Sequence, residues 1–119
     1  MVVTMKQVRN ELEPDEPDYL KAAASLGIEA LPHLEEIVKS GDVLLASKAA
    51  YLASLIPDEK SIAVLKTASE SNFPEVRAAA AFGSRNIAQE RAKDVLEKLK
   101  SDQDPGVRKQ ALRSIDSLQ

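Results

Sequence analysis

His33 is the single histidine of a 119-residue chain that has no cysteine. Imidazole can ligate a metal or move a proton near neutral pH, and Glu35 and Glu36 stand close by in sequence. Either task needs several groups converging on one point. Position 33, however, falls in register with Val64 and Val95, each 31 residues further on, at the border of an apolar helix face. A structural or capping role is therefore favoured over a ligand or catalytic one. The absence of cysteine excludes disulfides, thiolate metal sites and a thiol nucleophile.

Arg77 and Arg108 are the next candidates, because a guanidinium suits phosphate and carboxylate. Each follows an apolar Val in its segment, Val76 and Val107. That placement favours a stem packed between helices with the head on a carboxylate or a helix end. The run Glu13-Pro14-Asp15-Glu16-Pro17-Asp18 could attract a basic partner, but charged loops between helices are ordinarily just solvated. No glycine-rich phosphate loop, nucleophile elbow or carboxylate pair in a plausible cleft is present. The four glycines fall at helix ends or, for Gly83, on an alanine-rich face where close packing is needed. No catalytic residue, metal site or cofactor is expected, and the chain is read as a non-enzyme.

The elements that hold these residues repeat. Pro74-Glu75-Val76-Arg77 returns as Pro105-Gly106-Val107-Arg108, an offset of 31, and the same step back from Val76 reaches Leu45. Eight helices are predicted, at 3–13, 18–26, 28–39, 42–55, 59–69, 74–87, 89–100 and 105–118. They alternate in kind. First-type helices are alanine-dense (Ala22–Ala24, Ala49-Ala50, Ala78–Ala81), whereas second-type helices carry larger apolar residues on one face and charge on the other. Leu34, Leu65 and Leu96 keep the same period, as do Ile37, Ala68 and Leu99. No such pair buries its apolar face alone, so the pairs must stack side by side. The fold class expected is all-α, an α-solenoid of about three to four stacked helix pairs. It forms a single domain over 1–119. Residues 1–16 would be a leading helix, 17–40, 41–71 and 72–103 the pairs, and 104–119 a trailing first-type helix.

Asp104, Pro105, Val107 and Arg108, with Pro74, Val76 and Arg77, resemble the start of HEAT-like repeats, of the short kind also found in phycobilin lyases. The resemblance covers roughly 17–118. It implies inter-repeat structural roles for Asp42, Arg77, Asp104 and Arg108. Phe73 stands where the pattern has Asp, and Ala46 where it has Arg, so a full Asp–Arg ladder is not expected. Resemblance to metal-binding HEAT-like hydroxylases does not extend to their paired His-Glu steps, which do not occur here. The family pattern also puts second-type helices on the concave side, where partners are gripped. Their outward positions give the candidate binding residues Glu35, Glu36, Lys39, Lys66, Glu70, Asp94, Glu97 and Lys98. The alternative is a solvated face with no binding role.

Charge and composition limit the partner. Residues 1–60 carry six Lys/Arg against eleven Asp/Glu, and 61–119 carry ten against eight, for a net charge of −3. That balance and a total of four aromatic residues make nucleic acid an unlikely ligand. No apolar run is long enough to span a membrane, and no signal pattern opens the chain. The expectation is a cytoplasmic, non-catalytic module that binds a protein or peptide. The alternatives are an accessory subunit resembling phycobilin-lyase or phycobilisome-acting HEAT-like proteins and, behind it, a nucleic-acid binder.

Overall fold

A computed structural model describes residues 2–118. Eight α-helices follow in order: α1 (Met5–Leu12), α2 (Tyr19–Leu26), α3 (Leu31–Val38), α4 (Val43–Ser54), α5 (Ser61–Ser69), α6 (Pro74–Gly83), α7 (Gln89–Leu99) and α8 (Pro105–Ser117). Among the described residues there is no strand.

Local chemistry starts several of the helices. Thr4 opens α1 with a capping box, its hydroxyl taking the Gln7 N–H while the Gln7 side chain takes the Thr4 N–H. Asp18, Asp42 and Asp104 cap α2, α4 and α8, accepting from Lys21, Leu45 and Val107 backbone N–H groups at 3.0–3.1 Å. Phe73 offers α6 no such bond, and Pro74 in the first turn serves instead.

Two predicted helices are cut short. The segment 28–39 begins with a 3-10 turn, Gly27–Ala30, and becomes α-helical only at Leu31. Pro32 explains this, since its ring would strike the carbonyl of residue 28 in a continuous helix. Gly27, at φ +66°, makes the sharp exit from α2 that a side chain would resist. Likewise 74–87 ends as an α-helix at Gly83 and tightens into a 3-10 turn over Ser84–Asn86.

The first-type helices α2, α4, α6 and α8 form one layer and α3, α5 and α7 the other. The most extensive helix contacts are α4 with α6, α3 with α4, and α6 with α8. Equivalent positions fill the seam between layers. Leu34, Leu65 and Leu96 are at most 2% exposed, and Ala49, Ala80 and Ala111 are wholly buried. Each such leucine contributes roughly 1.5–3 kcal/mol relative to an exposed one. Small residues bring α4 and α6 together closely: a Cβ on Gly83 would stand 2.9 Å from Ser54 Cβ.

The leading helix is held by a residue that sequence reasoning passed over. Lys48, buried in α4, donates from Nζ to the Leu12 carbonyl at 3.1 Å and the Pro14 carbonyl at 2.7 Å. These oxygens at and beyond the α1 C-terminus lack intrahelical donors, so a cation there meets both hydrogen-bond need and dipole.

Candidate functional site

His33 is already engaged. Its Nε2 lies 2.8 Å from the Val3 carbonyl oxygen, which can only accept, so the ring nitrogen donates. The contact ties α3 to the segment before α1. Among the described residues no group of three or more His, Asp or Glu side chains is arranged to hold a metal ion.

Arg77 makes a shielded polar contact that ties the first turn of α6 to the turn before α8. Its Nε and Nη2 donate to the two carboxylate oxygens of Asp102 at 2.8 and 3.1 Å, and Nη1 donates to the Ser71 carbonyl at 2.9 Å. Both side chains are about nine-tenths shielded, with 11% and 9% exposure. Arg108 joins from α8, donating Nη1 to the Asp102 backbone carbonyl at 2.7 Å. Burial raises the Asp102 pKa. Hydrogen bonds from Arg77 and the Asp104 N–H, with the charges of Arg77 and Arg108, more than offset this and hold the carboxyl below its ordinary value. Asp42 and Asp104, to which the resemblance gives inter-repeat roles, cap their own helices. Asp102, two residues before the motif, was missed because only the turn into α8 brings it to Arg77.

The eight candidate binding residues lie on the second-type layer, and shallow grooves separate its helices. Lys66, Glu70, Asp94 and Lys98 surround one of about 210 Å³ between α5 and α7, floored by Ser69 and Val95. Lys98 Nζ reaches across to Glu70 Oε2 at 3.8 Å, with both side chains more than half exposed. Such a pair adds little stability and leaves both charges open to a ligand. Glu35 lines a second groove of about 420 Å³ between α3 and α5, with Leu31, Pro32, Ala63 and Val64. Its carboxylate accepts from Thr67 Oγ1 at 2.8 Å, bridging the two helices. Glu97 borders a third, about 210 Å³, between α7 and α8. A hydrogen bond and charge from Lys100, 2.7 Å away, lower its pKa. Glu36 and Lys39 are exposed on α3, outside these grooves. Four candidates thus share one groove, two border its neighbours, and two stand apart.

Two further features escaped the sequence reading. A larger open groove, about 780 Å³, lies at the turn end of the stack between Ser54, Asp58, Glu59, Asn86, Ile87 and Arg91. On the first-type layer three of the four aromatic residues stack. Tyr19 meets Tyr51 edge-on at 4.8 Å, Tyr51 stacks on Phe82 at 5.3 Å, and the Arg85 guanidinium sits 5.0 Å over the Phe82 ring. The 31-residue step from Tyr51 to Phe82 was the available signal. Desolvation, then the neighbouring Tyr51, raises the Tyr19 pKa.

Comparison with known proteins agrees with this architecture. Residues 63–119 match the family model for HEAT repeats. No curated protein matches the sequence. Among solved structures, human deoxyhypusine hydroxylase in complex with glycerol superposes with a TM-score of 0.73 at 20% identity. The match covers 97% of this chain and 43% of that one. This chain therefore spans less than half of that protein's length, and at such identity the likeness is one of fold. No helix among the described residues is long and apolar enough to cross a membrane. The fold is thus an α-solenoid of stacked helix pairs, and residues 63–119 match HEAT repeats.

Proposed function

We propose that the chain is a non-catalytic recognition module that binds a protein or peptide through the second-type helix layer. The supporting observation is the groove between α5 and α7, where Lys66 and Lys98 alternate with Glu70 and Asp94 around a floor of Val95 and Ser69. Mixed charge over such a cleft suits a peptide that carries both signs, and it gives register as well as attraction. A polyphosphate chain would meet Glu70 and Asp94 as repulsion. The resemblance to HEAT-like repeats supports the choice of this layer, since that pattern implies a concave, partner-gripping side for the second-type helices. A non-catalytic role rests on His33, whose Nε2 is committed to a backbone carbonyl. Cytoplasmic location belongs to the same proposal and rests on the lack of cysteine.

The accessory-subunit reading, resembling phycobilin lyases, has the mainly apolar α3–α5 groove in its favour. Retention of chromophorylated protein by the immobilised chain would move that reading ahead. Affinity capture from the native source tests the main one. The parent chain should enrich a discrete protein that the triple variant Lys66→Glu, Asp94→Lys, Lys98→Glu does not, while both melt alike. Equal enrichment by both chains would remove the second-type layer as the binding face.

A further inference from the structure

The outward side of α8 is built like an inter-repeat contact, yet no helix among the described residues lies on it. On α4, Val43, Ser47, Ala50 and Ser54 share one helix face, which meets α6 at Ser54, against Gly83 and accepting from Asn86 Nδ2 at 3.1 Å. One repeat later the equivalent positions are Pro74, Ala78, Ala81 and Arg85, and contact with α8 is made at Arg85, whose Nε donates to Ser114 Oγ at 3.3 Å. Ala50 and Ala81, at the centre of these stripes, are fully buried. The third register reads Pro105, Lys109, Leu112 and Asp116, and all four are exposed. Leu112 stands 52% exposed where its two equivalents are wholly covered. A stack end built only for solvent would carry a polar residue there.

The order of charge along this stripe, basic then apolar then acidic, is complementary to itself when reversed. At about 1.5 Å rise per residue, Lys109 lies about 4.5 Å before Leu112 and Asp116 about 6 Å after it. An antiparallel copy centred on Leu112 therefore brings each Lys109 level with the other copy's Asp116 to within about 1.5 Å along the axis. We propose that α8 pairs antiparallel with α8 of a second copy about a two-fold axis at Leu112, each Lys109 facing the other chain's Asp116. Such an isologous contact closes on itself and makes a dimer rather than a filament. A single helix pair is a small interface, so the dimer is a transient one. This inference stands independently of the recognition face proposed above.

Sedimentation velocity of the whole chain from micromolar to millimolar concentration tests it. The parent should show a concentration-dependent monomer–dimer equilibrium. Leu112→Glu should raise the dissociation constant by about tenfold or more while leaving the melting midpoint in place. Lys109→Asp and Asp116→Lys should each weaken the dimer, and the two combined should restore it, because the swapped charges still face each other. A parent that stays monomeric throughout overturns the proposal and leaves the edge to another occupant. So does a dimer indifferent to Leu112→Glu, or a double swap that dissociates as readily as the single ones.

Discussion

Arg77 and Asp102 show how much one residue's surroundings decide. An arginine head resting on a carboxylate was legible from the position of Arg77 after Val76. Which carboxylate was not, because Asp102 and Asp104 stand two residues apart and only the folded turn tells them apart. Asp104 is spent on the α8 N-terminus, and its own N–H turns toward Asp102 at 2.9 Å. The consequence can be measured by pH. The folded pKa of Asp102 lies below its ordinary value of 3.8, so the ionised form stabilises the fold. That contribution is complete well above the ordinary value and is lost as pH falls through it toward the folded one. Asp102→Asn should therefore cost about 2 kcal/mol near neutral pH, the scale of charged hydrogen bonds. The gap between parent and variant melting midpoints should close on acidification below about pH 4. A gap that stays constant from neutral to acid pH would show that the carboxylate charge plays no part. His33 teaches the converse, since its border position signalled a structural role and its bond to Val3 supplies one.

At the scale of elements, the eight helices and their alternation could be read from alanine density and the 31-residue step. The interruption at 27–30 could not, because the apolar spacing through Leu31, Leu34 and Ile37 outweighed the proline in plain view at position 32. The closeness of α4 and α6 was partly legible in the alanine runs, and it makes a prediction about volume. Ala49→Leu or Ala80→Leu, at wholly buried positions, should lower stability by about 1–3 kcal/mol through overpacking. Gly83→Ala should also lower the melting midpoint, although alanine is the better helix former by roughly 0.5–1 kcal/mol. Its new methyl would stand 2.9 Å from Ser54 Cβ, so a backbone must move. Thermal melts of these variants decide the matter, and midpoints equal to or above that of the parent would place the α4–α6 seam elsewhere. Lys48 was hidden for a related reason: one lysine among alanines looks like a solvated face until the α1 carbonyls are seen above it.

For the whole molecule, the central claim is that apolar faces recurring every 31 residues line the helical hairpins up in an open row. Only an open row leaves the second-type helices side by side with continuous grooves between them, and only a row leaves the outward side of α8 uncovered among the described residues. The row was legible because repetition is a property of sequence. The occupants of its surfaces were not, since exposed charges such as Glu36 and Lys39 read alike whether they bind a partner or water. The lack of native cysteine permits a direct measurement of neighbour order. Cysteine pairs one repeat apart, at Tyr51 and Phe82, and two repeats apart, at Tyr51 and Arg113, are treated with a short bis-maleimide in dilute solution. The account predicts rapid crosslinking within the chain for the first pair, whose rings stack at 5.3 Å, and none for the second. Equally fast crosslinking of Tyr51→Cys to Arg113→Cys would mean that α4 and α8 meet in a closed bundle, contradicting the row and the surfaces that depend on it.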